Sequence, residues 1–144
     1  MAETISHKVV DVSVAIILNK NNEVLLQKKD MGYSWFPGGW CLFGGGKEGG
    51  ETPEETIRRE LMEELPSVSL KDLRFFKRDN YQDKLPSRTR GGTRHCYVVP
   101  YSGTMAGLSV HEGAGLAFFS RDELKSIPLV DHDRQIILEF YQSH

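Results

Sequence analysis

Cysteine is scarce. The chain of 144 residues holds two, Cys41 and Cys96, far apart and outside any C-x-x-C pattern. A disulfide scaffold, a zinc ribbon and a dithiol redox centre are therefore excluded, and a reducing interior is the expected home. Long apolar runs are also missing. The longest, Val12 to Leu18, contains Ser13 and has the length of a strand, much too short to cross a bilayer. No signal peptide stands at the start, so the expectation is a soluble, cytoplasmic protein without a membrane partner. Neither charge sign dominates: the formal net charge is −2, which supplies no global field for a nucleic acid. Repeats, low-complexity tracts and linker composition are absent, so residues 1–144 read as a single domain with enough chain to bury a core.

What is present centres on Gly45 to Ser67, GGKEGGETPEETIRRELMEELPS. Thr52-Pro53-Glu54-Glu55 supplies a helix start: a capping hydroxyl, a proline suited to the first helical position, and Glu55 to close a capping box. Pro66 cannot continue a helix, so the spacing predicts one over 53–65. Ile57, Leu61 and Leu65 recur every fourth residue as an apolar stripe. Glu60, Glu63 and Glu64 fall at i, i+3 and i+4 and share another face. Like charges at that spacing repel, and a cation among them relieves the repulsion. Carboxylate oxygens suit hard ions, Mg²⁺ or Mn²⁺. A phosphate-cradling P-loop is a competing reading of the glycines, and it fails on spacing. Glu48 follows Gly46-Lys47 where Ser or Thr is required, and Cys41 takes the first glycine position.

Gly45, Glu51, Arg59, Glu60, Leu61, Glu63 and Glu64 stand at the spacing of the Nudix box, and the chain resembles that family over nearly its whole length. At roughly one in fifteen per position, six exact matches arise by chance in about 10⁻⁷ of windows. Two positions depart from the pattern: Pro66 stands for a glycine and Ser67 for an aliphatic, which bears on the turn after the helix. The resemblance implies an α/β fold, an α/β/α sandwich with a mixed β-sheet between helices. It implies hydrolysis of a pyrophosphate bond in a small nucleotide by water attack on phosphorus. It assigns metal binding to Gly45 (through a backbone carbonyl), Glu60, Glu63 and Glu64, with Glu60 or the downstream Glu112 drawing the proton from water. Glu51 and Arg59 are expected to pair, fixing loop against helix. Glu48 is a further candidate for metal-bound water. A homodimer is compatible with the resemblance. A nucleotide-sensing module that does not cleave, and an RNA 5′-end hydrolase, are the alternatives.

Along the rest of the chain, Met1 to His7 reads as a polar leader. The β-branched stretch 9–18 reads as one long strand buried on both faces, and 23–28 as its hairpin partner. The breaker-rich stretch 29–40 is a loop that carries Tyr33, Trp35, Phe36 and Trp40; residues 41–43 form a short strand before the glycines. Strands are expected at 70–77 and 93–99, separated by a long polar loop over 78–92. A short strand at 108–110, a glycine-flanked segment at 111–115 and a strand at 116–119 follow. Ser120 with Glu123 opens a short helix, and Asp131 caps a final helix over 132–141 with Ile136, Ile137 and Phe140 on its apolar face.

Tyr33 and Trp35 are candidates to stack on a base, while Trp40 is expected to pack over the core and Phe36-Pro37 to be structural. From Lys71 to Arg94 there are eight Lys or Arg against three Asp. Arg88, Arg90 and Arg94 are the phosphate candidates there, though no RNA-binding motif accompanies them and no stable nucleic-acid partner is expected. His95, His111 and His132 form no zinc-like group with the cysteines and read as capping or surface residues.

Overall fold

The computed structural model describes residues 6–108 and 115–144. Its sheet is built around a long hairpin where the sequence predicted a polar loop. Strand β6 spans Arg74–Leu85 and β7 spans Arg88–Pro100, joined by a two-residue turn at Pro86-Ser87. Their register sets Asp79 opposite Arg94 and Asp83 opposite Arg90. Opposed charges across a ladder stabilise it as apolar pairs do, which is why a segment with little apolar alternation still forms strand. Gly91 and Gly92, which read as breakers, lie within β7. A Cβ at Gly92 would sit 2.6 Å from the Val10 carbonyl oxygen, so the close approach of a neighbouring backbone requires glycine there.

The stretch read as one long strand is two. Strand β1 (Ser6–Val9) and β2 (Val12–Leu18) both pair in parallel with β7. Between them the Val10 carbonyl accepts from the Tyr81 hydroxyl and the Asp11 carboxylate accepts from the Thr93 amide, which interrupts the ladder. Val9 is exposed, so burial on both faces begins only further along β2. Strand β3 (Val24–Lys28) runs antiparallel to β2, to β4 (Trp40–Cys41) and to β8 (Gly115–Phe119). The glycine stretch is also strand: β5 (Phe43–Gly46) pairs antiparallel with β2, Gly45 opposite Ser13.

Helix α1 (Pro53–Glu64) begins as predicted, with Thr52 and Glu55 closing the reciprocal capping box. Its stripe of Ile57, Leu61 and Leu65 packs with Ala15, Ile17, Leu25 and Phe43 on one face of the sheet. On the other face, helix α2 (Asp131–Ser143) packs Ile136, Ile137 and Phe140 against Ile16, Leu26, Cys96 and Val98. Burying each such aliphatic side chain contributes about 1.5–3 kcal/mol. A mixed sheet between two helices is the α/β architecture the sequence pointed to. Val130, not Asp131, occupies the cap position of α2, and its side chain makes no capping bond. The Ser120–Glu123 box is present but opens only one 3-10 turn, 123–125.

The departures at Pro66 and Ser67 are absorbed locally. Val68, one residue late, enters the core beside Leu65, and its amide donates to the Leu65 carbonyl. Leu108 is not in a strand; the remainder of the short strand expected at 108–110, and the segment 111–114 with Glu112 and His111, lie outside the described residues.

Candidate active site

The strand β5 and the first turns of α1 are fastened together by one guanidinium. Arg59 donates from Nε to Glu51 Oε2 at 2.7 Å and from Nη2 to Glu51 Oε1 at 3.1 Å. Nη2 also reaches the Gly46 carbonyl at 3.0 Å, and Nη1 reaches Glu60 Oε1 at 2.9 Å. Arg59 and the Glu48 backbone amide hold the Glu51 carboxyl down at about 2. The Glu63 and Glu48 carboxylates each lie 3.6 Å from Arg59. A Cβ on Gly45 would overlap the Glu60 carboxylate, so the absence of a side chain lets that carboxylate lie against the strand. Glu60 is mostly covered at 15% side-chain exposure, whereas Glu63 is open at 61%. Glu64 is half-buried at the last turn of the helix.

These residues fit a divalent ion of a particular kind. Among the described residues no three acidic, His or Cys side chains gather into a group that would hold a metal without further ligands. Arg59 pairs with Glu51 of the loop and with Glu60 and Glu63 of the helix, which offsets part of the charge those carboxylates gather. Their carboxylate oxygens have the chemistry of a hard divalent ion, which one or two carboxylates can hold together with phosphate oxygens.

On the other side of β5 lies a cavity of about 190 Å³. Its walls include Val12 and Val14 of β2, Gly44 to Gly46 of β5, Tyr33 and Trp35 of the aromatic loop, and Gln27, Cys41 and Leu42. Burial pushes the Cys41 thiol up to about 12, so it lines the cavity as a neutral group. Trp35 is gripped by the hairpin, with the guanidinium carbons of Arg88 and Arg90 each 4.5 Å from its ring centroid. Arg88 also donates to Ser34 Oγ at 2.5 Å, and Arg90 to the Tyr33 hydroxyl at 3.0 Å. Two of the phosphate candidates thus meet both of the stacking candidates at the cavity mouth.

Arg94 is placed differently. It is only 1% exposed and its donors are taken up by Asp79, Asp133 and the backbone carbonyl of His132. It lies in the cavity wall as the centre of an ion network, and this corrects its reading as a phosphate ligand. His132 is likewise no surface residue. Its Nε2 is 2.9 Å from Asp83 Oδ1, and its Nδ1 is 3.3 Å from Asp133 Oδ1 and 2.8 Å from Arg94 Nη1. Burial and the Arg94 contact oppose a charge on the ring. Asp79, Asp83 and Asp133, set against Arg90 and Arg94, leave one negative charge to balance, and the Asp133 and Asp83 contacts raise His132 to about 9.

Gln27, Asp83, Asp133 and His132 were missed from sequence as cavity residues. The signals were faint: one amide in the otherwise apolar run of β3, and acidic residues whose basic partners lie across a hairpin. Trp40 packs edge-on against Phe119, centroids 4.8 Å apart, as a core residue should.

An acidic helix face and a cavity of about 190 Å³ thus flank a glycine strand, in a mixed sheet between helices. The NUDIX domain model matches residues 7–140, and the chain belongs to that family. It is 50% identical over 52 residues to the nucleoside triphosphatase NudI of Enterobacter sp. (strain 638), a match covering 36% of this chain and 37% of that protein. The solution structure of the E. coli ORF135 protein is similar with a TM-score of 0.66 and 26% identity, covering 94% of this chain and 91% of that one. MutT protein from Methanosarcina mazei Go1 reaches a TM-score of 0.75 at 16% identity, over 97% and 98% of the two chains, and so speaks to fold alone. Among the described residues no helix is long and apolar enough to cross a membrane.

Proposed function

We propose that this protein is a Mg²⁺- or Mn²⁺-dependent pyrophosphohydrolase of a small nucleoside di- or triphosphate or a nucleoside-diphosphate derivative. One observation carries the reading. Gly45 lines the cavity and, with no side chain of its own, leaves the space its Cβ would fill to the Glu60 carboxylate. A nucleoside seated in the cavity therefore places its diphosphate along β5 and toward the glutamates of α1.

When bound, a divalent ion neutralises phosphate oxygens and lowers the pKa of a coordinated water. The rest falls to the chain's own side chains. Glu60, Glu63 and Glu64 would hold the ion with the Gly45 carbonyl, and Glu60 or Glu112 would accept the proton of the attacking water. Arg59 and Glu51 hold the geometry of loop and helix and touch no reacting atom. Tyr33, Trp35, Arg88 and Arg90 close the nucleoside end. The name of the relative NudI, a nucleoside triphosphatase, supports a nucleotide substrate. The matched 52 residues span 37% of that relative, so its activity supports the chemistry and not the base.

The engagement of Arg88, Arg90 and Arg94 within the molecule favours a small nucleotide over an RNA 5′ end. The free thiols Cys41 and Cys96 support a cytoplasmic location. The test is a panel of nucleoside triphosphates, diphosphates, sugar conjugates and capped RNA with Mg²⁺, scored for released phosphate or pyrophosphate. Hydrolysis of a small nucleotide is the expected result. Binding without turnover across the panel would make the protein a sensor and end the enzymatic reading.

A further inference from the structure

Gln27 is the one polar side chain that β3 places in the cavity wall, and it is 4% exposed. Its amide is locked. Nε2 donates to the Leu42 carbonyl at 3.3 Å, so the amide cannot be turned over without setting oxygen against oxygen. Oε1 then accepts from no described group, and one N–H of Nε2 remains unused. Among the described residues no fully sealed side-chain nitrogen or oxygen lacks a partner, and Gln27 lines the cavity. Leaving such an acceptor without a partner under a bound ligand costs about 1–3 kcal/mol.

The surroundings add acceptors. The Leu42 amide donates to Asp133 Oδ2 at 3.0 Å, which fixes that carboxylate on the same residue whose carbonyl locks Gln27. Asp83 lines the cavity too, its oxygens already receiving Arg90 and His132 and each keeping a lone pair. An acceptor from Gln27 beside a donor from the same amide matches a base edge with the reverse order, an amino N–H beside a bare ring nitrogen. The amidine edges of cytosine and adenine have that order. Uracil and hypoxanthine carry a keto oxygen beside a ring N–H. In the same pose they set oxygen against Oε1 and N–H against N–H, and a keto oxygen has no proton for a neighbouring carboxylate.

We infer that the locked amide of Gln27, with Asp133 fixed beside it on Leu42, makes the cavity selective for nucleotides whose base carries an amino group next to an unprotonated ring nitrogen. This rests on the cavity being the nucleoside site of the proposed hydrolase. Two matched pairs isolate the edge: CTP against UTP, and ATP against ITP. The amino member of each pair should have the higher kcat/KM by about tenfold or more. Gln27→Leu should bring both ratios to within about threefold of unity.

Calorimetric affinities of CMP, UMP, AMP and IMP, measured without metal, read the same preference apart from chemistry. Amino preference in binding with no hydrolysis of any triphosphate would uphold this inference and sink the enzymatic reading. Hydrolysis with equal rates within both pairs would do the reverse. If Gln27→Leu does not fold, the wild-type ratios still decide.

Discussion

Arg59 holds Glu51 with two prongs, 2.7 Å and 3.1 Å, and with the same guanidinium reaches Gly46 and Glu60. The pair joins the strand that floors the cavity to the helix that carries the acidic face. Arg59→Ala should therefore lower kcat by about 10- to 100-fold through misplaced carboxylates, with the Mg²⁺ concentration for half-maximal rate rising in parallel. The measurement is steady-state kinetics over a magnesium series.

The same pair has a pH signature. The folded Glu51 carboxyl lies at about 2, below its ordinary 4.5. A depressed carboxyl contributes stability that is fully present above pH 4.5 and is lost as pH falls toward 2. Urea unfolding at pH 7, 4 and 3 should show the wild type losing its advantage over Glu51→Gln as the acid range is entered.

Glu64→Gln deletes charge from the acidic face with almost no change in volume. Turnover at saturating Mg²⁺ should fall about a hundredfold or more, while the circular dichroism spectrum stays that of the wild type. Wild-type turnover in this variant would remove Glu64 from the metal set.

Gly45→Ala tests the contact between strand and carboxylate. The new methyl group would occupy the space of the Glu60 carboxylate and force it aside. The rate should drop by about tenfold or more, with nucleotide affinity in the absence of metal changing little. A loss of affinity equal to the loss of rate would show that the methyl group disturbs the cavity instead.

Arg94→Met leaves Asp79 and Asp133 without their buried cation. Breaking such a pair costs about 3–5 kcal/mol, and denaturant titration should register it. His132 adds the opposite pH trend to that of Glu51. Raised from 6.5 to about 9, it contributes stability that is fully present below pH 6.5 and is lost as pH climbs through 9. Unfolding free energies at pH 6, 8 and 10 should decline for the wild type and stay nearly level for His132→Gln.

The acidic helix was legible from sequence because each of its signals is local. A cap, a breaker and two faces at helical spacing all fall within Thr52 to Pro66, and the structure repeats them nearly residue for residue. The cavity was much less legible. Its wall depends on Asp79 meeting Arg94 and Asp83 meeting Arg90, and such pairing becomes visible only once the hairpin register is known. Glycine at 91 and 92 pointed to a loop because close backbone approach and loose backbone leave the same mark in a sequence. His132 reads as a capping or surface residue because Asp83, one of the two aspartates that meet it, lies on a strand far off in the chain. Gln27 carries no signal in the sequence beyond being a polar residue after Val24, Leu25 and Leu26, and its place is visible only with the Leu42 carbonyl that holds it.

The two walls of the cavity are held by different physics. The sheet beneath is clamped by aliphatic side chains of two helices, while the far wall is held by charge against charge across the β6–β7 hairpin. Rungs of that sort can be exchanged two at a time without disturbing the hydrocarbon beneath. The side that would meet a base is therefore free to drift toward new ligands, while the carboxylates of α1 stay anchored to a part of the molecule that does not have to change.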